Sequence, residues 1–369
     1  MKYEKLIFLP MIVLAALLTS CGGSDSSGGD AAAAKPQKAY KWKMVTTWPK
    51  NFPGLGTAPE KFAEMVDDMS NGRLKIKVYG AGQLVPALEV FDAVSSGTAE
   101  MGHGAAYYWK GKIPASVLFA AYPFGLNAQE LNGWLHYGGG LELWRELYEP
   151  FNLVPYAGGN TGVQMGGWYN REINSLEDLK GLKIRMPGLG GEVIKRAGAE
   201  AVNIPGGELF TSMQTGVIDA TEWVGPANDL AFSFHQVAKY YYYPGWQEPG
   251  PALEIIINKE KLETLPADLQ AIVEVASRAA STDMLDNYTA TNAGALDKLI
   301  NEHNVEVRPF PDDVLAEIYR ISEEVLQEQA AADPAFAKVY KSINDYRTQV
   351  RKYHKLTEQE YYRVRDLDK

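Results

Sequence analysis

Short alternating runs of hydrophobic and polar residues open the chain's patterned region, and stretches with helical spacing separate them. Tyr40, Trp42 and Met44 alternate with Lys41 and Lys43, which predicts a strand with one dry face. Thr57 and Glu60 have the spacing of a capping box, and Phe62, Met65, Val66 and Met69 then recur as on one face of a helix that Asn71-Gly72 ends. Leu74, Ile76 and Val78 alternate with Lys75 and Lys77 as the next strand. A second helix is predicted around Val85, Leu88, Phe91 and Val94, stopping at Gly97, after which Met101-Gly102-His103-Gly104 reads as a strand end.

The pattern restarts near Gly158. Ser175-Leu176-Glu177-Asp178 reads as a helix start, and Glu192–Ala197 and Glu208–Thr215 read as helices. Leu253–Ile257 is taken as an apolar run, as expected of a strand buried on both faces that returns the chain to its first half. Tyr240–Tyr243 reads as a strand packed on both sides. Beyond Pro266 the spacing is mostly helical, with Val305-Glu306-Val307 as a brief strand and exposed helices after Pro334. Strands alternating with helices in two series predict two α/β lobes with crossed connections.

Two strand ends carry the chemistry. Leu182 and Ile184 alternate with Lys183 and Arg185, and Pro187-Gly188 stops that strand, so Arg185 leaves the sheet at its carboxyl end, where α/β proteins hold ligands. A guanidinium there can grip a carboxylate with two parallel hydrogen bonds, which lysine cannot do. Glu222 sits similarly, after Val217-Ile218 and before Gly225-Pro226. An alternative has Arg185 and Glu222 simply satisfying each other. Tyr107 and Tyr108, just past the Met101–Gly104 strand, are placed to line an apolar pocket while their hydroxyls reach a polar ligand.

Length and composition bound the rest. At 369 residues, 46% hydrophobic and 22% charged, the chain is an ordinary globular sequence of two or three compact parts. A net charge of −10 without any basic block removes the electrostatic footprint of nucleic-acid binding. Lys2 and Lys5 followed by the apolar Leu6–Leu18 form an export signal too short for a comfortable membrane span. Leu18-Thr19-Ser20-Cys21 looks like a lipoprotein processing site, with Cys21, the only cysteine, as the lipidated residue, and Gly22–Lys38 reads as a flexible tether. Phosphate-loop, nucleophile-elbow and zinc-protease motifs are missing from the sequence, and the five histidines show no metal-ligand spacing. Glu222 with Glu248 leaves acid–base hydrolysis as a rival from another class.

Four segments taken together resemble a known family: Gly162-Val163-Gln164-Met165-Gly166-Gly167, the Arg185 strand through Gly191, Thr221-Glu222-Trp223-Val224-Gly225-Pro226, and Tyr240–Gly250. They are similar to the periplasmic solute-binding subunits of tripartite ATP-independent periplasmic (TRAP) transporters, of the DctP type, in the branch that binds 2-oxo and 2-hydroxy monocarboxylates. The resemblance implies a two-lobed α/β periplasmic binding fold with the ligand cleft between lobes, long connecting and C-terminal helices, no catalysis, and delivery to a membrane permease. It assigns Arg185 to the ligand carboxylate, and Gln164, Glu222, the Trp223 carbonyl and Glu248 to a cation, sodium or calcium, bound with the ligand. Gln164, Trp223, Asn160, Tyr107 and Tyr108 are expected to contact the acid. Members of the branch can dimerise through a C-terminal helix, and the tail here is long enough.

The expected organisation is a signal peptide over 1–20, a tether over 21–38, lobe I over 39–160 plus 252–304, lobe II over 161–251 plus 305–330, and a helical region over 331–369. The sialic-acid branch has a second arginine upstream of the clamp, in a neighbourhood where this chain has Gln164, and Glu222-Trp223 stands where that branch places a Glu-Asn pair, which argues for a small acid such as pyruvate or lactate. A dicarboxylate, an aromatic acid or a sulfonate remains the alternative. Physics favours the cation independently, since a ligand carboxylate beside Glu222 and Glu248 puts three negative charges against one arginine. Each close like-charge pair costs about 4 kcal/mol at 4 Å and an effective dielectric near 20.

The processing signal makes a first prediction. Cys21→Ser should abolish lipidation and release the protein from the membrane fraction, while a protein beginning near Tyr40 keeps full ligand affinity; weaker binding by that shortened protein would contradict a separable anchor.

Overall fold

The computed structural model describes residues 38–367, so the signal, Cys21 and nearly all of the tether lie outside the described residues. Among the described residues eleven strands form two sheets. The first contains β1 (Tyr40–Thr46), β2 (Leu74–Tyr79), β3 (Met101–Gly104), β4 (Leu153–Asn160) and β10 (Ala252–Asn258), in the order β2-β1-β3-β10-β4. The second contains β5 (Gly167–Tyr169), β6 (Lys183–Arg185), β7 (Glu200–Val202), β8 (Ala220–Thr221), β9 (Tyr240–Tyr243) and β11 (Glu306–Pro309), in the order β11-β9-β5-β8-β6-β7.

The two sheets repeat one plan. In each, the lone antiparallel strand directly follows a short irregular crossing from the other sheet: β5 opposes β8 and β9, and β10 opposes β3 and β4. The chain passes between the sheets three times, the last through residues 259–305 with the long helix, and the first two by short irregular crossings over residues 161–166 and 244–251. The crossings run against each other, with Gly245 N–H donating to the Gln164 carbonyl at 2.9 Å and Thr161 N–H to the Pro251 carbonyl at 3.3 Å. A Cβ at Gly245 would lie 2.2 Å from the Gln164 carbonyl oxygen, so only glycine lets the backbones approach this closely.

The helix Ala267–Asn301, 35 residues long, ties the halves together by packing on β4 and the helix Ala58–Met69 at one end and on the helix Pro226–Ala231 further along. Where it passes the second sheet, Tyr288 hydroxyl donates to Asn228 Oδ1 at 3.1 Å, and Asn228 Nδ2 donates across to the Pro53 carbonyl at 2.8 Å. The C-terminal helices extend this bracing. Asp312–Ala332 lies on the helix Gly188–Arg196, with Arg196 paired to Glu328, and Pro334–His354 folds back on the helices Ala128–Tyr137 and Gly140–Tyr148. The last helix, Glu358–Val364, buries nothing and leaves Leu356, Tyr361 and Tyr362 exposed.

Three local expectations change. Thr57 makes no side-chain cap: it is already helical in conformation, its hydroxyl turns back to the Gly54 carbonyl, Pro59 follows in the first turn, and Glu60 faces Lys50 instead. The helix around Val85–Val94 is shorter than its spacing suggests, spanning Val90–Ser95 after a single tight turn at Ala87–Glu89. The run at Leu253–Ile257 is not wholly apolar. Glu254 lies fully buried in β10, accepting from Tyr148 hydroxyl at 2.9 Å and from Trp109 Nε1.

Burial pushes the Glu254 carboxyl up to about 7, against 4.5 when free, even though both donors favour the charged form. The folded chain then holds a proton that the unfolded chain has released, so the contribution of Glu254 to stability is complete below pH 4.5 and is lost as pH rises through 7. Glu254→Gln keeps the shape without the charge. Its unfolding midpoint in denaturant should gain on the wild type as pH is raised from 5 to 8; parallel curves for the two proteins would contradict the buried titration.

Candidate functional site

β6 and β8 are parallel neighbours with Arg185 opposite Thr221, so Arg185 and Glu222 emerge side by side at the carboxyl ends of their strands. Both are 1% exposed. Arg185 Nη1 pairs with Glu222 Oε1 and reaches the Glu222 carbonyl at 3.3 Å, Nε donates to the Ile204 carbonyl at 3.2 Å, and Nη2 donates to Tyr108 hydroxyl at 3.2 Å. The guanidinium also lies 5.2 Å from the Trp223 ring. The alternative of mutual pairing is thus realised on one edge of Arg185, while the Nη2 edge faces Tyr108. A guanidinium carries five N–H groups, one more than these four partners use.

The crossing segments bring the next groups. Gln164, on the first, donates through Nε2 to Glu248 Oε2, on the second, at 2.9 Å. Tyr107 hydroxyl faces the same oxygen at 3.5 Å. Trp223 follows Glu222 in a turn held from beneath by Asp229, which accepts from Val224 N–H at 3.3 Å, Trp168 Nε1 at 3.0 Å and Tyr241 hydroxyl at 2.7 Å. Asn160 is buried but engaged with main chain on both of its groups, giving to the Gly250 carbonyl at 3.0 Å and accepting from Gly162 N–H at 2.8 Å. It clips the crossings together rather than presenting its amide to the space between the sheets.

That space is a small cavity between the sheets. Arg185, Gln164, Thr161, Tyr107 and Tyr108 form its polar side, and Trp48, Leu55, Trp223, Val224 and Leu253 its apolar side. Its walls come from both sheets, and Lys110 Nζ, just beyond Tyr108, reaches across to the Gly188 carbonyl at 3.2 Å.

Charge in this space is unbalanced. Burial pushes Glu222 up to about 7 in spite of Arg185, and burial together with the neighbouring Glu222 pushes Glu248 well above the usual carboxylate range. Burial also raises Tyr107, and Tyr108 to about 12, so both hydroxyls keep their protons to donate. Since Tyr108 accepts from Arg185, its own O–H is left to point elsewhere. Three buried oxygens, Gln164 Oε1, Glu222 Oε2 and Gln247 Oε1, have no hydrogen-bond partner. Orphaned amide and carboxylate oxygens beside excess negative charge fit a hard cation such as sodium or calcium. Among the described residues no cluster of three or more histidine, cysteine, aspartate or glutamate side chains could hold a metal, so any cation must draw on amide and carbonyl oxygens as well.

Sequence reasoning missed Gln247, Asp229 and Trp48. The signal for Trp48 was available, since Thr46-Thr47-Trp48-Pro49 ends a strand just as Arg185-Met186-Pro187 does.

Two α/β sheets closed over a buried arginine and an acidic pair make the framework of an extracytoplasmic solute receptor. Residues 44–333 match the family model described as bacterial extracellular solute-binding protein, family 7. The chain belongs to this family, that of the TRAP periplasmic solute-binding proteins. It is 40% identical over 344 residues, 93% of each chain, to a monocarboxylate 2-oxoacid-binding periplasmic protein of Nostoc sp.. A TRAP solute-binding protein of Pseudoalteromonas atlantica, solved with sodium and pyruvate, is 46% identical with a TM-score of 0.86, covering 88% of this chain and 99% of its own. One from Colwellia psychrerythraea, solved with calcium and pyruvate, is 45% identical with a TM-score of 0.86, covering 89% of this chain and 100% of its own.

The ion pair itself can be tested without ligand. Arg185→Met should destabilise the protein by about 3 to 5 kcal/mol, because it leaves Glu222 buried and uncompensated. Adding Glu222→Gln should recover most of the loss in denaturant unfolding; strictly additive losses would show that the two do not depend on each other.

Proposed function

We propose that the chain binds a small monocarboxylate, a 2-oxo acid such as pyruvate or a 2-hydroxy acid such as lactate, together with sodium or calcium, and hands it to a TRAP permease without chemical change. The observation that carries this reading is the buried set of two carboxylates and one guanidinium, with Gln164 Oε1 and Glu222 Oε2 unpartnered beside the small cavity between the sheets. An acid anion alone would deepen the charge conflict. A cation shared by Glu222, Glu248, Gln164, the Trp223 carbonyl and the acid removes it, and the sodium and calcium in the two solved relatives support that arrangement.

In this reading Arg185 Nη2 and the Tyr108 hydroxyl grip the acid's carboxylate together. Tyr107 orients Glu248, and Gln164 faces both cation and acid. Asn160 serves the site through the backbone it clips. The lobe boundaries we propose are 39–160 plus 252–304 and 161–251 plus 305–330, which the division of strands between the two sheets supports. The family is a substrate-binding transport component and acts in the periplasm. Lipid anchoring at Cys21 and pairing of two copies through the 331–369 region extend the proposal, the latter supported by Leu356, Tyr361 and Tyr362 standing exposed.

Titrating pyruvate into dialysed protein with sodium, calcium or neither tests the central claim. Acid affinity should fall roughly 5- to 150-fold without the required cation, the usual range of coupling between sites, and cation affinity should rise by the same factor with acid. Glu222→Gln should weaken both. Acid binding indifferent to every cation, or tightened by Glu222→Gln, would mean that Glu222 merely repels the ligand.

A further inference from the structure

The apolar side of the cavity is organised around a side chain whose orientation is fixed from behind. Trp48 follows β1, and its carbonyl accepts from Ala81 N–H at 2.8 Å and from Thr46 Oγ1 at 3.0 Å, which holds its backbone. Its indole Nε1 donates to His103 Nδ1 at 2.8 Å. The other ring nitrogen of His103 faces the Gly158 carbonyl at 3.1 Å, and because a carbonyl can only accept, Nε2 carries the proton and Nδ1 is the acceptor. His103 belongs to β3 and Gly158 to β4, with β10 between them, so the imidazole bridges the first sheet beneath Trp48.

His103 is wholly buried, and burial holds it down to about 4, so the ring stays neutral in this tautomer at any working pH. Turning the indole would strand two buried polar atoms, Trp48 Nε1 and His103 Nδ1, each at the full cost of desolvation. With Nε1 taken up, Trp48 offers the cavity only hydrocarbon. Its ring stands 6.0 Å from Tyr108 and 6.2 Å from Trp223, the two aromatic residues that flank the Arg185 guanidinium.

We propose that Trp48 is the specificity-determining wall of the site, limiting the acid to a short side chain, and that His103 is the positioning residue that makes this wall rigid. The inference rests on the monocarboxylate reading and adds what sets the length of the acid. A flexible apolar wall would yield to one more methylene; an indole hydrogen-bonded to a buried neutral histidine cannot.

The test compares pyruvate with 2-oxopentanoate by calorimetry at fixed cation concentration, in the wild type and in Trp48→Leu, Trp48→Phe, His103→Leu and His103→Gln, with thermal melting recorded for each. In Trp48→Leu the affinity ratio should move toward the longer acid by roughly 10-fold or more, the discrimination that a methylene commands in an apolar pocket. Trp48→Phe, the milder change, should move it in the same direction and serves if the leucine variant does not fold. His103→Leu should shift the ratio as Trp48→Phe does, and His103→Gln, which can still accept from Trp48 and donate to Gly158, should restore it. Equal losses for both acids would leave His103 and Trp48 as structural residues only and overturn the inference. A wild type that binds pyruvate while the Trp48 variants keep its ratio overturns the wall alone, whereas a wild type that binds neither pyruvate nor lactate overturns the monocarboxylate reading as well.

Discussion

The structure depends on keeping a guanidinium inside a protein. Arg185 and Glu222, both 1% exposed, could not stay buried singly, and their pairing does not by itself stabilise the fold much, because desolvation of both ions offsets most of their attraction. The pair instead constrains everything near it. It fixes the relative height of β6 and β8 and requires Tyr108, from the first sheet's side, to reach across to Nη2. It also puts a positive charge where a second carboxylate, Glu248, can be tolerated.

Around this centre, buried acids that do not line the cavity act as supports. Asp229 receives two ring donors and a main-chain N–H and so holds the turn that follows Glu222. Glu254 receives Trp109 and Tyr148 and so anchors the turn that carries Tyr107 and Tyr108. Each lobe thus has one buried carboxylate that organises aromatic donors behind its share of the cavity. Such networks are costly when incomplete and specific when complete, which suits a site that must hold side chains from two sheets in register.

Part of this was legible in the sequence. The period of two at Leu182–Arg185, cut by Pro187-Gly188, locates a strand end from local information alone, and so does the break at Gly225-Pro226 after Glu222. The two-lobed α/β plan followed from the same periodicities. Gln164 and Glu248 carry no pattern, because they lie in irregular crossings whose conformation is set by each other; Glu248 entered first only as a possible acid–base partner of Glu222, and the resemblance to a known family alone gave both a cation-binding role. Glu254 was hidden inside an apolar run, and the partners that explain it stand 145 and 106 positions away. The link from Trp48 to His103 spans 55 positions and leaves no spacing to read. The capping box at Thr57 failed for the converse reason: the local signal was present, but the preceding turn had already set the residue's backbone.

The hydrogen bonds between the crossing segments, from Gly245 to Gln164 and from Thr161 to Pro251, give the molecule an axle. If the halves swing apart about it, points on the axle scarcely travel, while points far out on either arm travel most. Gln164 and Glu248 sit on it. Arg185 at the tip of β6 and Tyr108 beyond β3 sit on opposite arms, so a small rotation that parts Arg185 from Tyr108 leaves Gln164 and Glu248 in each other's company. Under the proposed assignment the site is therefore a lever with unequal ends, with Gln164 and Glu248 near its pivot and Arg185 and Tyr108 out on its arms.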